Sequence, residues 1–364
     1  MVNSRNPKDK QGICGFLPPD DLCVAVEACL SQARASARVA VGLSGGPDSS
    51  ALAIASQLAC QRLGLDLHLF HVHHGLHDQA NAWMQTVSQL AALLSLPLTT
   101  RQVSVDLHGG KGIEAAARQA RHAALKEMAK DQGVSSVLLA HHAQDQAETV
   151  LMRLLRGAGV TGLAAMRPVS SPWAFDGVQL LRPWLAVDRS RLLAMIEGFS
   201  ERTGWQPVDD PSNRDAVLAR GALRQTILPA IQARWPAWSK TLSRHAQQAG
   251  EVDELLGQYG EQLLGDVSVA EQDAAVIDLL AWRGLTPPQQ ALVLRVWLAR
   301  QQVALPTDAS LQELMRQLRG LHALGHDRAM QWRHSTYVVT CVRGQVRLQV
   351  ADEPDGAAEV THDG

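Results

Sequence analysis

Residues 44–49 read Ser44, Gly45, Gly46, Pro47, Asp48 and Ser49, a set of residue types suited to holding a phosphate. The apolar run before them, residues 38–43, reads as a buried strand, and the Ala/Leu-rich segment after them, residues 50–63, reads as a helix. The glycines let the backbone approach an anion with no Cβ in the way. The N–H groups of a first helical turn point at that anion, and the helix dipole favours negative charge there. Pro47 suits the first helical position. Asp48 stands apart, since a carboxylate beside phosphates repels them unless a cation intervenes. It therefore points to Mg2+, with Asp48 as the protein ligand. No Lys follows the glycines and no G-x-G-x-x-G is present. A Walker A loop is thereby excluded and a dinucleotide fold disfavoured.

A second constellation runs His141-His142-Ala143-Gln144-Asp145-Gln146-Ala147-Glu148. Asp145 and Glu148 are spaced i, i+3 and share a helix face. Such a pair could hold a cationic substrate, hold Mg2+ or take a proton; its bland alternative is charge complementarity to a helix N-terminus. Arg118 and Arg121 lie one turn apart on another helix and could clamp a phosphate, although Glu114 is also spaced to pair with Arg118. Arg220 and Arg224, at i, i+4, face one way after an Asp209-Asp210-Pro211-Ser212-Asn213 turn. His71 and His73 share a strand face, but no Cys or carboxylate cluster lies nearby in sequence to complete a tetrahedral metal site.

Strands predicted at residues 38–44, 66–73, 98–105 and 134–140 alternate with helices at 48–63, 79–94, 113–132 and 144–157. This repetition predicts an α/β fold, a parallel sheet with helices on both faces, whose ligands sit at the carboxyl ends of the strands. Residues 170–215 read as less regular, and 216–254 as helical but broken by Pro229 and Pro236. Amphipathic helices are expected at 287–302 and 310–318, and a β-hairpin at 331–350 turning at Arg343-Gly344. The expected domains are an N-terminal segment and helix (1–35), a catalytic domain (36–225), a helical domain (226–330), the hairpin (331–350) and an acidic, disordered tail (351–364).

The 364 residues are 46% hydrophobic with a net charge of −2. No apolar stretch reaches the roughly 18 residues of a membrane helix. Residues 1–11 are polar, without the apolar core of a secretory signal. Five cysteines, none in C-x-x-C, fit a reducing cytoplasm rather than a disulfide framework. Between residues 151 and 250 there are 13 Arg and Lys against 7 Asp and Glu. A local Arg-rich face on a near-neutral protein suits phosphate binding, with ordinary solvated helix faces as the alternative.

The hexapeptide resembles the pyrophosphate loop of the N-type ATP pyrophosphatases (adenine nucleotide alpha hydrolase-like fold), which split ATP into AMP and pyrophosphate while adenylating a carbonyl oxygen. In that setting the end of the second strand, with His71 and His73, would line an adenine pocket. The motifs also occur in a specific order: SGGPDS, HVHHGL, GIEAAARQAR, AHHAQDQAETVLMRLLRG, LLRPWL, DDPSN, and R-x-x-x-R before a proline. Together, over about residues 39–238, they closely resemble the tRNA(Ile)-lysidine synthase family, with a weaker likeness to residue 350. That resemblance implies ATP and Mg2+, free lysine, and the isoleucine tRNA with a CAU anticodon, whose wobble cytidine becomes lysidine. It implies that Asp145 and Glu148 hold the lysine, that Arg220 is catalytic beside Asp48, and that Arg118, Arg121, Arg220 and Arg224 meet the tRNA. A homodimer is left open. Gln144 departs from the family's H-H-x-D-D-Q, as do Arg220-Gly221 and Arg121-His122 from its Arg-Asn and Arg-Tyr pairs. A 2-thiocytidine-forming enzyme, the nearest rival, relies on cysteines, often C-x-x-C pairs; here there is no C-x-x-C and no Cys between Cys60 and Cys341. An amidotransferase-type synthetase of small molecules, whose glutaminase domain with a nucleophilic Cys is not visible, and an inactive ATP- or tRNA-binding module are the others.

Overall fold

Alternation along the strands decides the layers. In β1 (Arg38–Gly42), Val39 and Val41 point to one side and Ala40 to the other. The same split separates Leu67 and Leu69 from Phe70 and Val72 in β2 (Asp66–His73). It also separates Leu138 from Val137 in β4 (Ser136–Leu138) and Leu181 from Leu180 in β6 (Gln179–Leu181). A sheet apolar on both sides must be covered on both sides. One face packs α1 (Asp20–Gln32), α2 (Pro47–Leu63), α3 (Ala80–Leu94) and α7 (Arg189–Thr203); the other packs α4 (Ile113–Asp131). With β3 (Leu98–Gln102) and β5 (Val169–Ser170), the strand order is β3-β2-β1-β4-β6-β5, parallel except for the β5–β6 pair.

The computed structural model describes residues 15–33, 37–73, 79–104, 113–171, 177–210, 219–269, 276–321 and 329–350. The expected acidic tail, His74 to Leu76 of the second motif and Pro211 to Asn213 of the Asp-Pro turn lie outside them. All four predicted strands and the four helices between and after them are present, the fourth as α5 (Ala143–Leu155). The expectation of irregular structure over residues 170–215 fails at α7. There Leu192, Met195, Ile196 and Phe199 form a buried helical stripe behind Asp188 at the N-cap, a periodicity masked by the Pro- and Trp-rich text upstream. Pro229 does not break its helix. A π-helical turn, Leu223–Ile227, lies between α8 (Ala219–Ala222) and α9 (Leu228–Arg234), so the proline's missing N–H falls where the hydrogen-bond ladder is already shifted. The break comes at residues 235–237, before α10 (Trp238–Val267).

The chain forms two compact units, Met1–Gly250 and Glu251–Gly364. In the second, α12 (Pro287–Arg300) and α13 (Asp308–Gly320) pack Trp297, Leu298, Leu311 and Leu314 with Tyr337, Val339 and Val346 of an antiparallel sheet. The predicted hairpin is there as β9 (Tyr337–Val342) and β10 (Gln345–Val350), turning at Arg343 and Gly344 with φ of 52° and 77°. β7 (Val276–Asp278) and β8 (Met330–His334) extend it to four strands in the order β7-β10-β9-β8.

Candidate active site

Chain connectivity reverses direction at β1: β2 and β3 lie to one side, β4 and β6 to the other. The carboxyl ends of β1 and β4 therefore flank a topological switch point, where an open α/β sheet leaves a crevice. The phosphate loop follows β1 and the His-Asp-Glu segment follows β4, so the two strongest motifs of the sequence converge there.

The loop is held from within. Ser49 Oγ accepts from Ser44 N–H at 3.2 Å, lies 2.9 Å from Ser44 Oγ, and donates to Gly46 O at 3.1 Å. Gly45 has φ of 91°, and a Cβ there would lie 2.9 Å from Val87 Cγ2 and 3.0 Å from Val208 Cγ2. Both the backbone angle and the space require glycine. Gly46 is the N-cap of α2, Pro47 follows it at the helix start, and no side chain caps the helix. The first-turn N–H groups are thus oriented for an anion, as the sequence predicts. His71 is buried and its Nδ1–H donates to Leu43 O at 2.8 Å, fixing the strand end before the loop. Among the described residues neither buried ring nitrogen of His73 has a hydrogen-bond partner.

Asp48 is gripped by a residue that sequence reading missed. Arg189, the first residue of α7, donates from Nε to Asp48 Oδ1 at 3.1 Å and from Nη2 to Oδ2 at 3.2 Å. The two residues are 141 positions apart, beyond any local pattern; the available signal was the Asp188 N-cap that starts α7. His142 was also passed over. It caps α5: Nδ1 accepts from Asp145 N–H at 3.4 Å, while Asp145 Oδ2 accepts from His142 N–H at 3.2 Å. The other ring nitrogen, Nε2, lies on the side of both carboxylates. That nitrogen lies 3.3 Å from Asp145 Oδ2 and 4.0 Å from Asp48 Oδ2.

One turn further along α5, Glu148 is 3% exposed. Arg224, on the π-helical turn, donates from Nε to Glu148 Oε1 at 2.7 Å and from Nη2 to Oε2 at 2.9 Å, and its Nη2 reaches Asp145 Oδ1 at 3.2 Å. Arg220 Nε lies 3.3 Å from Glu148 Oε2 and its Nη2 donates to Thr149 Oγ1 at 3.0 Å. Leu223 and Leu228, packed with Ala147 and Trp238, seat this helix on α5. Burial alone would raise the Asp145 carboxyl, but His142, His141 and Arg220 outweigh it and hold it below the usual range. Burial lowers His141 to about 3, with Asp145 opposing and Arg182, Arg118 and Arg121 adding to the shift.

Of the predicted site residues, Asp48, Asp145, Glu148, Arg220 and Arg224 meet in one cluster beside residues 44–49. Arg118 and Arg121, on α4, are close enough for their charge to act on His141 and His122. Among the described residues no group of three or more His, Cys, Asp or Glu could cage a metal. The donor set at the loop is one carboxylate. Mg2+ is commonly held by one or two carboxylates with substrate phosphates as further ligands; at Asp48 it would have to share the carboxylate with Arg189, which holds both oxygens. The described cysteines Cys23, Cys29, Cys60 and Cys341 are buried and free, and burial pushes the thiols of Cys23 and Cys60 up to about 12. They offer no thiolate chemistry at this site.

Residues 23–231 match the PP-loop domain family, and residues 277–348 match the TilS substrate binding domain. The first match spans residues 44–49 and supports ATP use by this domain. By fold the chain resembles the U34-tRNA thiolase NcsA from Methanococcus maripaludis, with a TM-score of 0.52 and 14% identity over 63% of this chain and 77% of that one. The tRNA(Ile)-lysidine synthase of Ralstonia nicotianae is 39% identical over 87% of this chain and 65% of its own length. That of Bordetella bronchiseptica is 48% identical over 86% of this chain and 89% of its own length. Similarity of this extent, carried by both matched domains, places the chain in the tRNA(Ile)-lysidine synthase family.

Proposed function

We propose that this chain ligates lysine to C2 of the wobble cytidine in the isoleucine tRNA with a CAU anticodon, consuming ATP. The supporting observation is the single imidazole edge, His142 Nε2, that lies 4.0 Å from the loop carboxylate Asp48 and 3.3 Å from Asp145. This contact supports reading the phosphate site and the carboxylate pair as parts of one reaction centre.

The cytidine C2 carbonyl is amide-like and a poor electrophile. Its oxygen attacks the α-phosphorus of ATP, and pyrophosphate departs toward the N-terminus of α2. The lysine ε-nitrogen then bonds to C2, the C2–O bond breaks, AMP leaves, and the nitrogen loses its proton. A free lysine ammonium has a pKa of about 10.4 and must be deprotonated to attack. Asp145 and Glu148 hold and orient it, and Arg220 steadies Glu148 and the charge on the departing groups. His73, beside the His71-braced strand end, faces the adenine. Arg118, Arg121, Arg220 and Arg224 meet tRNA phosphates, with residues 277–348 as a further tRNA-binding part. Mg2+, when bound at Asp48, would neutralise the leaving pyrophosphate. The proposed setting is the cytoplasm, and a homodimer is compatible with the reading. Among the described residues no helix is long and apolar enough to cross a membrane.

The test uses ATP labelled at the α-phosphate. With CAU tRNA but no lysine, label should accumulate on the tRNA; adding lysine should release it as AMP. AMP formation that ignores the tRNA would refute the adenylation step.

A further inference from the structure

Every oxygen of the carboxylate pair is already engaged. Glu148 Oε1 and Oε2 take Arg224 Nε and Nη2 at 2.7 and 2.9 Å, and Asp145 Oδ1 takes the same Nη2 at 3.2 Å. Asp145 Oδ2 takes the His142 N–H at 3.2 Å. Two carboxylates face two guanidiniums, so the pair and its arginines are neutral together. A lysine ammonium added to this arrangement would be a third cation on two anions in a largely buried place, and it needs acceptors that Arg224 holds. Arg224 also sits where the helix is least regular, on the π-helical turn Leu223–Ile227, a geometry frequent at functional sites.

We propose that Arg224 is an internal stand-in for the substrate cation: it occupies the lysine site until a phosphate, from the nucleotide or the tRNA, draws its guanidinium away. The inference rests on the reading of Asp145 and Glu148 as the lysine site. It makes lysine and phosphate binding mutually reinforcing, since each favours the arrangement with Arg224 off the carboxylates. Linkage requires the coupling to be reciprocal. It also guards the chemistry, because lysine is seated only beside a polyphosphate or tRNA.

The test is equilibrium dialysis of labelled lysine against the full chain, alone, with Mg2+ and inorganic pyrophosphate, and with CAU tRNA transcript. For the unaltered protein, lysine affinity should rise about tenfold or more in at least one phosphate arm, within the range of ordinary coupling; the arm identifies the source. Arg224→Gln should bind lysine alone as tightly as the unaltered protein does with phosphate, and its coupling should vanish. Arg224→Lys keeps the cation and should keep the coupling. Equal coupling in Arg224→Gln and the unaltered protein, or weaker lysine binding by Arg224→Gln in every arm, overturns the proposal. Thermal unfolding gives a second readout: lysine alone should raise the Tm of Arg224→Gln more than that of the unaltered protein. Glu148→Gln separates the two readings. If it binds lysine normally, the lysine-site assignment itself is wrong; if it loses lysine in every arm, that assignment stands and Arg224→Gln decides the exchange.

Discussion

The Glu148–Arg224 pair allows a quantitative check of how far this cluster departs from a surface ion pair. Glu148 is 4% exposed in its side chain and Arg224 35%. Their contacts of 2.7 and 2.9 Å form a bidentate fork. Unit charges about 4 Å apart at an effective dielectric near 20 interact by about 4 kcal/mol. The solvent reaching Arg224 screens part of that, so a coupling of about 2–3 kcal/mol is expected. The Asp48–Arg189 pair is more exposed, at 26% and 40%, with contacts of 3.1 to 3.3 Å, and its coupling should be about 1 kcal/mol. Two double-mutant cycles by urea denaturation measure both: Glu148→Gln with Arg224→Gln, and Asp48→Asn with Arg189→Gln. Such a cycle reports the coupling, not the net worth of the pair against an apolar replacement. A Glu148–Arg224 coupling under about 0.5 kcal/mol, or one no larger than that of Asp48–Arg189, would refute the claim that burial sets this cluster apart.

Asp48→Ala should abolish ATP-dependent adenylation while tRNA binding, followed by filter retention, stays within about twofold; normal turnover would remove Asp48 from the site. Gly45→Ala must place a side chain at φ of 91° and against Val87 and Val208. It should lose about 2–4 kcal/mol in urea unfolding and most of its ATP affinity; a fully stable, ATP-binding variant would contradict the loop geometry. Acid should destabilise the protein through His141 and His122, which burial lowers to about 3 and about 4. Unfolded histidines bind a proton below about pH 6.5 while these two stay neutral, so stability is full above that pH and falls steadily as the pH drops toward about 4. Urea midpoints from pH 7 to 4.5 read the slope, and His122→Asn should lessen it; a slope untouched by that change would show that His122 is not the proton acceptor.

Local pattern carried much of this fold. The alternation of β1 and β2 and the helices after them follow from periodicities within one element, and the Arg343-Gly344 turn from its own two residues. The phosphate loop was legible for the same reason: six adjacent residues contain the whole cradle. What escaped was set by long-range meeting. Arg189 finds Asp48 only because α7 packs on α2, and Arg224 finds Glu148 only because Leu223 and Leu228 seat its helix on α5. The i, i+4 spacing put Arg220 and Arg224 on one helix face, and only the family resemblance assigned that face to tRNA; spacing says which residues share a face but not what the face meets. Pro229 misled in the same way, because the π-helical turn that accommodates it has no composition signal.

The central claim is that the ATP loop and the carboxylate pair act together on one tRNA with lysine as nucleophile. Incubating the purified protein with ATP, Mg2+, labelled lysine and isoleucine tRNA transcripts bearing CAU or GAU anticodons tests it directly. Label should enter the CAU transcript, one lysine for each AMP and pyrophosphate released, and not the GAU transcript. ATP cleavage without lysine transfer, or equal labelling of both transcripts, would contradict the account.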